Sequence, residues 1–417
     1  MIPWVRDAIW WQVYPLGFTG ASVRPLPSDT LVDSAGRGLG SLVSWLDYLV
    51  DLGANGLALG PIFRSETHGY DTVDFFSIDP RLGDGGDFDR LVSECRARGI
   101  KVMLDGVFNH VGTAHPLFVS AMKGSDSARS MFHIEMSPDG SVRGYRNFEG
   151  HQGLAVLNHD SPAVDDLVVD VMCHWLRRGA SAWRLDAAYS MDPDFWGRVL
   201  PRVRKEFPEA FFVGEVIHGD YGDIVRRSGM DSVTQYELWK AVWSSLKDGN
   251  FFELDWCLGR HNSFMDDFVP MTFVGNHDVT RIASKIGDDL MRLAIVVLFT
   301  VGGIPSVYYG DEQAFRGEKR DELGGDDEVR PPFPETPEGL SPLGAGMYRL
   351  HQDLLSLRRQ HSWLVGSKTR TVELDNRTYS YESIGEDGQV LSVTMALDPA
   401  PVATISANGR ELLRVKR

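Results

Sequence analysis

Three runs that read as buried strands each carry charge at or near their ends. "SAWRLDAAY" (Ser181–Tyr189) places Arg184 and Asp186 two residues apart. On a strand, such a pair points to one face. "FVGEV" (Phe212–Val216) repeats the pattern with Glu215, and "FVGNHD" (Phe273–Asp278) with Asp278. An unpaired buried charge is strongly unfavourable, so these faces either pair their charges or open where charge is needed. Asp105 stands near the end of a further run, "IKVMLDGVF" (Ile100–Phe108). Carboxylates that converge on one pocket repel unless one keeps a proton or a cation compensates. Arg184, His110 and His277 lie beside them in the chain. A proton donor together with an anion facing growing positive charge is what cleavage of a glycosidic bond requires. Tyr14, Tyr70, Phe108 and Trp183 stand near the same ends and could stack on sugar faces, although such residues also fill cores.

Residues so far apart in sequence meet only if the fold gathers strand ends. Apolar strand-like runs alternate with amphipathic helical patterns along the chain. The runs are Trp11–Phe18, Gly56–Phe63, Ile100–Phe108, Ala182–Ala187, Ala210–Val216, Ser232–Tyr236, Met271–Gly275 and Ile304–Gly310. Eight such units predict an α/β fold of the (β/α)8 TIM-barrel type, whose C-terminal strand ends form one functional face. A doubly wound open sheet is the competing architecture, but no GxGxxG turn follows the first strand. The irregular stretch after the third strand is too long for a barrel loop and predicts a small inserted domain. Short β-like runs after residue 360 predict an all-β C-terminal domain. The expected division is residues 1–110 and 161–360 for the barrel, 111–160 for the inserted domain, and 361–417 for a C-terminal β-sandwich.

The totals narrow the function. A 417-residue chain with 43% hydrophobic and 24% charged residues can bury a large core. Its formal net charge of −16 argues against nucleic acid and anionic membrane as partners, and leaves a neutral oligosaccharide unopposed. Three scattered cysteines, Cys95, Cys173 and Cys257, form no metal-binding pair and suit a reducing compartment. The N-terminal stretch lacks the basic start and long apolar run of a signal peptide, so a cytoplasmic enzyme is expected. The oligomeric state is left open.

Taken in order, "DGVFNH" (Asp105–His110), "WRLDAA" (Trp183–Ala188), "GEV" (Gly214–Val216) and "FVGNHD" resemble the four motifs of the α-amylase family, glycoside hydrolase family 13. "HGYDTVDFFSIDPRLG" (His68–Gly83), "LNHDSPAV" (Leu157–Val164) and "GIPSVYYGDE" (Gly303–Glu312) are similar to further family patterns. The resemblance implies Asp186 as nucleophile, Glu215 as general acid and base, and Asp278 as the third acid, holding sugar hydroxyls. It implies that neighbouring carboxylates keep Glu215 protonated, that Arg184 keeps Asp186 ionised, and that Asp105 is mainly structural. His110 and His277 would donate to sugar hydroxyls, and Tyr70 would form a stacking platform. Asp326 and Arg330, in "DDEVRPPFP", resemble a D-P-x-x-R element that binds the next sugar, here without its proline.

No cofactor is required by this chemistry. Many relatives bind calcium, with Asn109 at one ligand position, but the Lys-His pair they carry after the nucleophile is replaced by Ala187-Ala188-Tyr189. The motif style is similar to the neopullulanase and cyclomaltodextrinase branch, which implies short or cyclic maltooligosaccharides as substrates. A transglycosylase of the same family, such as an α-glucanotransferase or a sucrose- or trehalose-type glucosyltransferase, shares the first half of the reaction. A non-catalytic sugar-binding relative would have lost an acid, and all three are present. A metal-dependent barrel of the enolase kind would need carboxylates on successive strands around a metal, and Arg184 among them opposes that.

Overall fold

A computed structural model describes residues 1–24, 37–322 and 324–416. Eight strands share one sheet: β1 (Trp10–Val13), β2 (Gly56–Leu59), β3 (Lys101–Gly106), β4 (Ala182–Leu185), β5 (Phe211–Gly214), β6 (Ser232–Val233), β7 (Met271–Phe273) and β8 (Ile304–Tyr308). Their order is β6-β5-β4-β3-β2-β1-β8-β7, and each paired neighbour is parallel. A parallel bridge between Thr234 and Met271 joins the two ends of that order. The Gln235 N–H donates to the Met271 carbonyl at 2.9 Å in the same gap. The sheet is therefore a nearly closed barrel, and the open doubly wound alternative is set aside.

The strands are short because the barrel wall is a ring and the helices supply its outer layer. Gly85–Ala97 illustrates how a helix is specified. Asp84 accepts from the backbone N–H of Gly86 and Asp87, and Asp87 accepts in return from the Asp84 N–H. Caps of this type contribute about 1 kcal/mol. Phe88, Leu91, Val92 and Cys95 then recur at helical spacing and bury against the barrel.

Inside the ring, Trp10, Ala58, Met103, Ala182, Phe211, Val213, Met271 and Ile304 form a dry plug. Alternation along the strands raises the next inward positions toward the mouth. Met103 is followed by Asp105, Ala182 by Arg184, and Val213 by Glu215. The β3–β4 register sets Ala182 against Met103 and Arg184 against Asp105, so the charge pair is fixed by the same ladder as the plug.

Three expectations are corrected. The run Trp11–Phe18 is not all strand: β1 ends at Val13, and Pro15 starts a short helix, Pro15–Thr19, as its fixed φ favours at a first helical position. His110 belongs with the inserted segment, because His110–Gly112 pairs antiparallel with His151–Val156, which also pairs with Asn147–Phe148. The C-terminal region is not a sandwich. Its described strands form a single five-stranded antiparallel meander from Lys368 to Lys416. Its second layer is helical instead: Tyr379, Tyr381, Leu391, Val393 and Met395 join the barrel's core, and Ser383 Oγ donates to the Thr300 carbonyl at the end of helix Ile282–Thr300.

Beyond β8, Glu312 is fully buried and accepts from the Tyr48 hydroxyl and the Gly310 N–H, both at 2.9 Å. Burial pushes Glu312 up to about 7 and the adjacent Asp311 up to about 6, the latter against the pull of Arg281. Carboxyls raised on folding stabilise fully below their ordinary range and lose that contribution as pH rises through the raised values. The melting temperature should therefore carry a downward component between pH 5 and 8, and Glu312→Gln should remove part of that slope. Thermal unfolding across this range, with an unchanged slope in Glu312→Gln, would refute the assignment.

Candidate active site

The mouth of the barrel is organised by one guanidinium. Arg184 Nη1 donates to both Asp105 oxygens at 2.7 Å and to Asp186 Oδ1 at 3.1 Å. Its Nη2 lies 2.8 Å from Glu215 Oε1. The four side chains are all nearly inaccessible to solvent. Three carboxylates thus share one cation, which explains why charge sits in an apolar strand.

Glu215 has two further donors. The Tyr236 hydroxyl donates to Oε1 at 3.1 Å, and the Ala187 N–H donates to Oε2 at 3.0 Å. A guanidinium, a phenol and an amide thus face Glu215, and Asp105 and Asp186 share the same guanidinium. Ala187, directly after Asp186, adopts φ 48° and ψ 33°, a left-handed conformation that strains a residue with a Cβ. That turn is what aims its N–H at Glu215.

Asp278 is held separately. Arg330 Nη2 donates to Asp278 Oδ1 at 2.8 Å, and His277 Nε2 lies 2.9 Å from Oδ2. The Gln12 amide nitrogen faces His277 Nδ1 at 3.4 Å. Asn276 links the two groups of acids: its Nδ2 donates to the Tyr236 hydroxyl at 2.8 Å, and its Oδ1 accepts from the Asp278 N–H at 2.9 Å.

Four carboxylates face two arginines here, and their environments push them apart. Burial raises Asp186 well above the ordinary carboxylate range; Arg184 opposes this, while Glu215, Asp105 and Asp278 reinforce it. Asp105 is raised by burial despite Arg184. For Asp278 burial acts in the same direction, but His277, Arg330 and Arg184 overturn it and hold the group well below the ordinary range. Arg184 favours the Asp186 anion, as expected, but the guanidinium is shared with Asp105 and Glu215 and burial outweighs it.

Asp186, Glu215 and Asp278 line one cleft of about 470 Å³, with Tyr70, His110, Asp326 and Arg330 on its walls. Arg184 and His277 lie behind that lining. Tyr70 is less a free platform than a braced wall: its hydroxyl donates to Asp105 at 3.2 Å and contacts His277 Nε2. His110 Nε2 donates to the Tyr70 carbonyl at 2.9 Å, and the Asn109 amide faces its Nδ1 at 3.1 Å, so both ring nitrogens have protein partners. Arg330 likewise directs its N–H groups to Asp278, to Asp326 at 3.0 Å and to the His277 carbonyl at 3.0 Å. It positions Asp278 and closes that side of the cleft.

Tyr14, Phe108 and Trp183 are not sugar platforms. All three are buried; Tyr14 lies under Arg330 and beside His277, while Phe108 and Trp183 pack on each other. The sequence reading passed over Tyr236 and Asn276, although both stand at strand ends it had quoted. The strand-end rule that found Glu215 would have found them.

The Asn109 amide nitrogen turns to His110, and among the described residues no three His, Cys, Asp or Glu side chains are grouped as metal ligands.

Residues 25–341 match the family described as "Alpha amylase, catalytic domain". A cyclomaltodextrinase from Geobacillus thermopakistaniensis (strain MAS1) is 32% identical over 380 residues, covering 86% of this chain and 63% of that protein. An intracellular maltogenic amylase from Bacillus subtilis (strain 168) is 30% identical over 335 residues, covering 76% of this chain and 57% of that protein. The chain thus spans less than two thirds of the length of both. The solved structure of a cyclic α-maltosyl-(1→6)-maltose hydrolase from Arthrobacter globiformis superposes with a TM-score of 0.80 at 26% identity, covering 94% of this chain and 91% of that one.

Arg184→Met should leave three buried carboxylates without their shared cation and destabilise the fold by about 3–5 kcal/mol at neutral pH. The loss should shrink at pH 5, where those carboxylates take up protons more readily. Denaturant unfolding at the two pH values tests this; equal stability of variant and parent at both would overturn it.

Proposed function

The chain belongs to the α-amylase family, and on that premise we propose that it is a retaining α-glycoside hydrolase acting on short or cyclic maltooligosaccharides. The observation that carries the reading is the convergence of Asp186, Glu215 and Asp278 on one cleft, with Arg184 behind the first two. A cleft of about 470 Å³ is within the range of small-ligand sites. The named activities of the two sequence relatives and the structural neighbour support the substrate class.

In this mechanism Asp186 attacks the anomeric carbon while Glu215 donates a proton to the departing oxygen. Asp278, kept anionic by His277 and Arg330, accepts hydrogen bonds from the sugar in the distorted transition state. Burial and the neighbouring carboxylates hold Asp186 well above the ordinary range, so its anionic form is favoured by positive charge in the substrate. Positive charge growing at the anomeric carbon stabilises Asp186 as an anion. The proton needed at the glycosidic oxygen then belongs on Glu215. The two carboxyls share Arg184. Tyr236, tied to Asn276, fixes the Glu215 carboxyl. In the second half, Glu215 takes a proton from water as the water oxygen bonds to the anomeric carbon and the bond to Asp186 breaks, which gives retained configuration. Transfer would follow if a sugar hydroxyl took the place of water.

The proposed location is the cytoplasm. Cys95, Cys173 and Cys257 are all free and buried, and among the described residues no helix is long and apolar enough to cross a membrane.

Incubation with maltotriose, γ-cyclodextrin, pullulan and sucrose, with anomers followed by NMR, tests the reading. Release of the α-anomer first supports it; β-anomer first rejects retention, and no turnover of any of them rejects the activity. Products longer than the substrate would show transfer. Glu215→Gln should lower kcat on natural glucans by about 10²–10⁴-fold. Tyr236→Phe should lower kcat by about tenfold with little change in KM, the pattern expected when one hydrogen bond orienting the acid is lost.

A further inference from the structure

The inserted segment reaches the cleft through a tight hairpin. Phe148 pairs with His151, leaving a two-residue turn of Glu149 and Gly150, both at positive φ. A turn with both residues left-handed suits the twist of a hairpin and holds its tip in one place. Phe148 stacks on the His110 ring at 4.7 Å, which seats the hairpin on the cleft floor. At the tip, Glu149 Oε1 accepts from the Tyr189 hydroxyl at 2.8 Å.

Tyr189 belongs to the opposite lip. It stands three residues after Asp186, in the turn Ala188–Ser190, and its N–H donates to the Glu215 carbonyl at 3.1 Å. Its ring packs edge-on against His218 at 5.3 Å. The position is therefore fixed relative to Glu215, with Ile217 as its neighbour on the cleft wall.

This placement has a direction. Glu215 serves the departing oxygen, so the sugar that leaves lies on the Glu215 side; Arg330, Asp326 and Asp278 bound the other side. We infer that the Tyr189–Glu149 hydrogen bond walls off the leaving-group side of the cleft and sets its preference for short leaving groups and acceptors. The inference rests on the glycosidase reading and deepens it. A long glucan chain must part the two side chains to pass, whereas a short one fits within them. The same wall limits which sugar hydroxyl can approach the glycosyl group in place of water.

The test compares kcat/KM for maltotriose and maltoheptaose in the parent, Tyr189→Phe, Glu149→Gln and the double variant. Tyr189→Phe keeps the ring against His218, and Glu149→Gln keeps the turn. Each single variant should raise the maltoheptaose-to-maltotriose ratio about three- to tenfold, the range of one hydrogen bond, mainly through KM. The double variant should do no more than the larger single effect, because both remove the same bond. Unchanged ratios in singles that still cleave maltotriose, or fully additive effects, overturn the wall and leave the glycosidase reading standing. A parent enzyme that cleaves neither glucan removes both.

Discussion

A single buried guanidinium constrains the mouth of this barrel. Arg184 lies between Asp105, Asp186 and Glu215, on three adjacent strands, and each carboxylate is intolerable there without it. The cation can satisfy all three only if β3, β4 and β5 hold their register, so the ion cluster and the barrel wall specify each other. The left-handed Ala187 follows from the same demand. Asp186 must turn out of β4 toward the cleft, and the N–H that the turn exposes goes to Glu215.

The chemistry depends on separating groups of one kind. Asp186 and Asp278 are both aspartates in one cleft, yet burial among carboxylates raises the first while His277 and Arg330 lower the second. The second clamp is built from a different part of the chain. Arg330 comes from the segment after β8 and lies over Tyr14, while Gln12 on β1 faces His277 Nδ1. Tyr236 and Asn276 connect the two clamps, so the three acids form one hydrogen-bonded assembly rather than three independent residues.

Beneath this polar layer the barrel is closed by an apolar plug, which keeps water from the base of Arg184 and strengthens every interaction above it. Above it, the inserted hairpin crosses from one lip to the other through Glu149 and Tyr189. Side chains hold this segment in place: Phe148 on His110 and Glu149 on Tyr189.

The sequence by itself determined the architecture and which acids would converge at its mouth. Period-two alternation ending on charge marked Asp105, Arg184 and Glu215, and eight strand–helix units implied a barrel that would bring them together, because both signals are local. It misjudged Tyr14, Phe108 and Trp183, since an aromatic at a strand end looks alike whether it faces the cleft or the helices. It read Trp11–Phe18 as one strand because apolar residues suit both a strand and the short helix that Pro15 begins. It did not foresee that Arg330 clamps Asp278, or that a guanidinium, a phenol and an amide face Glu215. Which partner a long side chain takes depends on residues 50 or more positions away, as Arg330 with Asp278 shows. Only the tertiary structure decided that one arginine serves three acids, that Tyr236 and Asn276 join them, and that Glu149 meets Tyr189. Those facts are distances between strand ends and loops, and they exist only once the ring has closed.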